Sequence, residues 1–171
     1  MPINVIQSLK IHVDEINRKI SDFLSSNQLH ASEDLFLFQK NKCKLKNYNE
    51  INNYNKSAVS IRSSSDNRMI DIFNINKAFP KFNEAIDFIN KSNFLKKFEK
   101  IKNKKVRNLN LYLNQSITKT RGFNADYYGE KVKVFIYLSD CLSLDHGPYT
   151  FVKLENIVPI IASSGSLTIS D

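Results

Sequence analysis

Apolar residues recur at steps of three and four near the start of the chain: Ile3, Ile6, Leu9, Val13, Ile16, Ile20 and Phe23 or Leu24. That spacing keeps one face apolar and predicts an amphipathic helix over 3–25. "SSNQ" ends it. "EDLFLFQK" (33–40), "AVSIR" (58–62) and "MIDIFN" (69–74) are short and β-prone, and the last alternates Ile70 and Ile72 with Asp71. The Asn-rich stretch 41–55 between them reads as loop, and "SSSDN" as a turn. Pro80 opens a second helical region. Its apolar face is Phe82, Ala85, Ile86, Ile89, Phe94, Leu95 and Phe98, with a break at Ser92 and Asn93.

Past residue 105 the period changes from helix-like to two. "VRNLNLYLNQS" (106–116) alternates Leu109, Leu111 and Leu113 with polar residues. "KVKVFIYLSD" (131–140) is apolar on both faces at its middle. "GPYTFVKL" (147–154) and "GSLTIS" (165–170) read as two further strands, with "LENIVPIIAS" leading almost directly from one to the other. Helices come first and antiparallel strands follow. The predicted fold class is therefore α+β, with a sandwich or barrel built from the second half. The expected organisation is a single domain over 1–171, with a helical and irregular part at 1–57 and a β core at 58–171.

Composition narrows the class. At 171 residues, 42% hydrophobic and with 12 Phe and 7 Tyr, the chain is a folded globule rather than a disordered one. No apolar run reaches the roughly 18 residues of a membrane span, and the charged start is not a secretory signal. Two cysteines, Cys43 and Cys141, have neither metal-site spacing nor a disulfide framework, so a reducing cytoplasm is the expected compartment. The net charge of +8 raises the question of nucleic acid. Only five of the cations are Arg, and abundant Lys, Asn and Ile are what an AT-rich coding sequence produces. Nucleic acid is therefore a disfavoured partner at this stage. The densest basic run, "KKFEKIKNKKVR" (96–107), is expected to be a solvated helix end and loop.

Catalytic signatures are sparse. The three histidines, His12, His30 and His146, sit on the first helix, in a loop and in a turn before Gly-Pro. No Ser–His–Asp set, Cys–His pair, GxGxxG or phosphate-binding loop is present. What remains is "NAD", Asn124-Ala125-Asp126. Residues i and i+2 of an extended segment share a side, so a His and a carboxylate so placed take two positions of a metal face. Read from the residues alone, Asp126 is either part of such a face or a turn carboxylate held by the backbone of "YYGE".

The flanking residues supply a resemblance. "TRGFNADYYGEKVKVFIYLSD…GPYTFVK" resembles the phytanoyl-CoA dioxygenase family of Fe(II)/2-oxoglutarate oxygenases, through Arg121, Gly122, Phe123 and Asp126, then Lys133, Phe135, Tyr137, Leu138 and Asp140, then Gly147, Pro148 and Tyr149. The likeness extends to "RSSSDNRMIDIFN" and "SSGSLTISD" and touches most of 58–171. It implies an incomplete double-stranded β-helix, or jelly roll, with its N-terminal and outer helices packed outside. It implies Fe(II) and 2-oxoglutarate as cofactors and hydroxylation of a small organic or lipid-like substrate. It places Asp126 as a metal ligand, and Tyr112 and Tyr137 in the interior against 2-oxoglutarate, where plain core packing is the alternative.

Departures from the family pattern set a second expectation. Asn124 stands where the family has its first ligand histidine, and an amide oxygen is a poor donor for Fe(II). The distal histidine, the 2-oxoglutarate-binding arginine and the last strands would lie beyond Asp171. The chain is thus expected to be an impaired or inactive member, or a pseudoenzyme that binds a small ligand without turning it over. An unpaired edge strand would invite association with another chain. A basic nucleic-acid-binding protein is the remaining alternative.

Overall fold

In a computed structural model, the chain is described at residues 1–26, 35–38, 57–62, 69–101, 103–116, 132–153 and 155–170. Its contacts group into two compact units, Met1–Asp14 with Thr120–Asp171, and Glu15–Lys119. Helices and small antiparallel sheets make up both. No helix among the described residues is long and apolar enough to cross a membrane.

Helix α1 (Ile3–Ser26) follows the predicted period. Ile6, Leu9 and Ile16 are buried, while Ile3 and Ile11 face solvent. Ile3 therefore drops out of the apolar face expected for it.

The second unit is built on a four-stranded antiparallel sheet in the order β1-β2-β3-β4: β1 (Leu35–Phe38), β2 (Ala58–Arg62), β3 (Met69–Phe73) and β4 (Leu111–Asn114). Register pairs Val59 with Ile72 and Ile61 with Ile70, then Ile72 with Leu111 and Ile70 with Leu113. Side chains alternate across a strand, so these six share one face, and Ile61, Ile70, Ile72 and Leu111 are core. The other face carries a polar row: Ser60 opposite Asp71, and Asp71 opposite Tyr112. Ser60 and Asp71 are nonetheless buried, and Tyr112 is 43% exposed.

Between β3 and β4 lies a helical stretch. The strand predicted to 74 stops at Phe73, because Asn74 takes a left-handed conformation (φ 52) and a one-turn helix, α2 (Ile75–Ala78), follows at once. Pro80 then starts a 3-10 turn that leads into α3 (Asn83–Lys91). Phe82, Ala85, Ile86 and Ile89 are buried, as the spacing predicts. The helix ends at Ser92, whose hydroxyl donates to Ile89 O at 2.8 Å and accepts from Phe94 N–H at 3.2 Å. Two 3-10 turns, Leu95–Lys97 and Glu99–Ile101, bury Leu95 and Ile101 but leave Phe98 40% exposed.

The strand predicted over 106–116 shrinks to β4. Residues 106–110 are held by asparagine side chains instead of a ladder. Asn90 bonds both backbone groups of Val106, Asn76 accepts from Leu109 N–H at 3.0 Å, and Asn110 Oδ1 accepts from Asn74 N–H at 3.0 Å.

The first unit contains two nested antiparallel pairs. β5 (Lys133–Ile136) pairs with β8 (Leu167–Ser170), and β6 (Thr150–Lys153) pairs with β7 (Asn156–Pro159). Bonds continue both ladders. Tyr137 N–H donates to Ser166 O, Gly165 N–H donates to Tyr137 O, Cys141 and Ala162 exchange a pair of bonds at 2.8 Å, and Ile160 N–H donates to Tyr149 O. β7 corrects the expectation that "LENIVPIIAS" runs almost directly into the last strand. Glu155 adopts φ 67 and turns the chain back, so 156–159 becomes a strand of its own. Gly165 (φ 88) closes the turn before β8, and its carbonyl accepts from the Met1 ammonium at 2.8 Å.

Candidate functional site

Asn124 and Asp126, the residues of the predicted metal turn, lie outside the described residues, as does Arg121. The structure does place the strands that follow them. β5 and Tyr137–Asp140 carry five of the twelve resembling positions, and the Ser163–Ser166 turn lies against them. Ser164 N–H donates to Asp140 Oδ1 at 2.7 Å, and its hydroxyl donates to Leu138 O at 2.9 Å. Asp140 is thus a turn-fixing carboxylate, which the sequence resemblance alone did not reveal.

Tyr137 sits at the end of β5 on the same side as Phe135, whose cross-strand partner is Thr168. Phe135 and Tyr149 bring their rings to 4.6 Å between centroids. Two hydroxyls of these strands, Tyr137 Oη and Thr168 Oγ1, are both buried and both without a hydrogen-bond partner. Burial pushes the Tyr137 phenol above its ordinary value. Thr168 offsets part of the rise, and Cys141 and Tyr149 add to it. Thr168 is near enough for that offset, although the pair falls short of hydrogen-bond geometry. A buried hydroxyl without a partner costs about 1–3 kcal/mol, so each calls for a reason.

Tyr112, the other residue matched to a 2-oxoglutarate contact, is on β4 in the second unit, opposite Asp71. Its ring is substantially open to solvent, while Ser60 at the far end of the same row is sealed, with an unpartnered hydroxyl.

Cys141 is a free, buried thiol, raised above its ordinary value by burial. His146 ends the neighbouring 3-10 turn. Its Nδ1 accepts from Leu142 N–H at 3.1 Å, which leaves that nitrogen committed to the turn.

Among the described residues no three His, Cys, Asp or Glu side chains group as a metal site. The donor chemistry of the predicted turn is also short of what Fe(II) needs. Asn124 offers an amide oxygen in place of an imidazole, and with Asp126 that makes two oxygen donors rather than a 2-His-1-carboxylate face. The residues at hand do not fit the metal that the resemblance implies. No protein-family model, curated protein or solved structure matches the chain.

Proposed function

We propose that the chain is a jelly-roll domain of the Fe(II)/2-oxoglutarate oxygenase type, similar to the phytanoyl-CoA dioxygenases, that does not assemble a working iron site. One observation carries the reading. The stretch bearing the resemblance forms nested antiparallel pairs, β5 with β8 around β6 with β7. Nesting of this kind arises when one long hairpin is folded over on itself, the path of a jelly roll. The family activity is hydroxylation of a small organic or lipid-like molecule. In the turn itself Asp126 is the carboxylate ligand and Asn124 stands in the histidine's place, and a carboxylate with a weak amide donor does not fix a metal with open positions in a defined geometry.

The test is metal binding and 2-oxoglutarate turnover by the chain and by its Asn124→His variant. The chain itself is expected to bind Fe(II) no better than an exposed carboxylate would and to consume no 2-oxoglutarate. Asn124→His is expected to raise Fe(II) affinity by at least about tenfold, as befits an added imidazole donor. An unchanged affinity would mean that Asn124 is not at a ligand position, and the reading would fall.

A second reading, a ligand-binding module without catalysis, is favoured by the unpartnered Tyr137 and Thr168 hydroxyls beside the Phe135–Tyr149 ring pair. Hydroxyl donors framed by aromatic rings suit a small molecule with a carboxylate or carbonyl at one end. A saturable rise in unfolding temperature with 2-oxoglutarate in the presence of a chelator, lost in Tyr137→Phe, separates this reading from a vestigial one.

A further inference from the structure

The lysine-rich composition accounts for how many cations the chain has, not for what surrounds them. Three exposed lysines on the helices each have a carboxylate about one turn away: Lys19 with Glu15 at 2.6 Å, Lys81 with Glu84 at 2.5 Å and Lys91 with Asp87 at 3.9 Å. Among the described cations of 96–107 that balance stops. Lys96, Lys97, Lys104, Lys105 and Arg107 are all exposed, and none forms an ion pair with another described residue. Glu99 is the run's one acidic residue.

The run is not free to spread its charges apart. Buried Leu95 and Ile101 anchor its first half, and Lys104 N–H donates to Ile101 O at 2.8 Å. Asn90 then fixes Val106, and Asn76 Nδ2 reaches Arg107 O at 3.5 Å. The Asn90 contact brings the end of α3, where Lys91 is exposed, to the backbone flanked by Lys105 and Arg107. Like charges held together raise the local potential and favour an anionic partner. Within the same run the ring of Phe98 is 40% exposed, braced edge-on by Phe94 at 5.6 Å. Cations that follow a backbone, with an aromatic face among them, are the features that hold a single strand of nucleic acid.

We propose that Lys96, Lys97, Phe98, Lys104, Lys105 and Arg107 form a contact strip for single-stranded nucleic acid. The lysines meet phosphates and Phe98 stacks on a base. Lysine predominates over arginine, so the contacts are to the backbone and tolerate any sequence. This inference is independent of the oxygenase reading and reverses the expectation drawn from composition alone.

The experiment is fluorescence anisotropy of the whole chain with a labelled oligothymidine of about 20 nucleotides, long enough for one such site. Binding is expected at about 50 mM salt and should weaken steeply towards about 200 mM. The triple variant Lys104→Glu, Lys105→Glu, Arg107→Glu should lose at least about tenfold in affinity and flatten the salt slope by about 2, as expected for three single-strand phosphate contacts. Phe98→Ala should lose roughly fivefold or more with the slope unchanged. A control triple with the same charge change, Lys10→Glu, Arg18→Glu, Lys77→Glu, should keep most of the affinity. All six charge sites are exposed, and an unchanged unfolding midpoint separates lost contact from lost fold. No binding at about 50 mM salt, an equal loss in both triples, or stronger binding to phosphatidylserine vesicles than to the oligonucleotide would overturn the proposal.

Discussion

The Asn90 side chain spends both ends of its amide on one residue: Oδ1 accepts from Val106 N–H at 2.8 Å and Nδ2 donates to Val106 O at 2.9 Å. It thereby does for Val106 what a neighbouring strand would do, supplying an acceptor and a donor side by side.

Asn90→Ala removes both bonds and leaves two part-buried backbone groups to find water. The expected loss is about 1–3 kcal/mol in urea unfolding. Asn90→Asp keeps the acceptor but turns an oxygen towards Val106 O, so it should also destabilise. If either variant unfolds like the parent, the clamp contributes nothing to stability.

Ser60 makes the opposite case. Its hydroxyl is fully buried and has no partner, so removing it relieves a cost. Ser60→Ala should leave thermal stability unchanged or raise it by about 1 kcal/mol. A clear loss would show that the hydroxyl is bonded in solution.

Gly165 turns the chain into β8 at φ 88, a conformation that an L side chain adopts only with strain. A Cβ there would meet Ile6 Cγ1 and Met1 O at 3.6 Å, which is ordinary contact, so the cost comes from the backbone rather than from crowding. Gly165→Ala should lose about 1–2 kcal/mol, and Gly165→Asn less, as measured by denaturant midpoint. An alanine variant as stable as the parent would mean that the turn relaxes to another conformation.

Two acids, the Tyr137 phenol and the Cys141 thiol, are held above their ordinary values, chiefly by burial. Burial favours the neutral form in the folded state. The unfolded chain therefore deprotonates first, binds fewer protons than the folded one, and gains as pH rises. Stability is expected to be insensitive to these groups at neutral pH, to fall above about 9.0 as the unfolded thiol ionises, and to fall further above about 10.0 as the unfolded phenol does. Unfolding midpoints from pH 7 to 11 check the sign. Tyr137→Phe should flatten only the upper part of the decline, and an identical profile in that variant would remove Tyr137 as its source.

Several elements are visible in the residue pattern because a local cause produces them. The burial of Ile6, Leu9 and Ile16 follows from helical spacing, and Ile61, Ile70 and Ile72 occupy one sheet face because strands alternate. The hairpin of β6 with β7 is less visible. Its turn uses Glu155 at positive φ, with no Gly or Asn-Gly to announce it, so 147–159 reads as one strand and a connection. The stretch 106–110 has strand-like alternation but finds asparagine side chains instead of a ladder, a choice that depends on residues up to 36 positions away.

The candidate site divides in the same manner. Which chemistry is at hand can be read from the residues: a carboxylate at Asp126 with an amide at Asn124, a phenol at Tyr137, and a surplus of lysine. Folding settles which of these groups meet. It sets the Tyr137 hydroxyl beside that of Thr168, fixes Asp140 to the Ser164 turn, puts a buried Asp71 between Ser60 and Tyr112, and leaves Lys96, Lys97, Lys104, Lys105 and Arg107 without an ion pair to another described residue. Periodicity is carried by backbone geometry a few residues at a time and so survives in the sequence. Partnership between distant side chains depends on register and on the closure of long loops, neither of which a local pattern encodes.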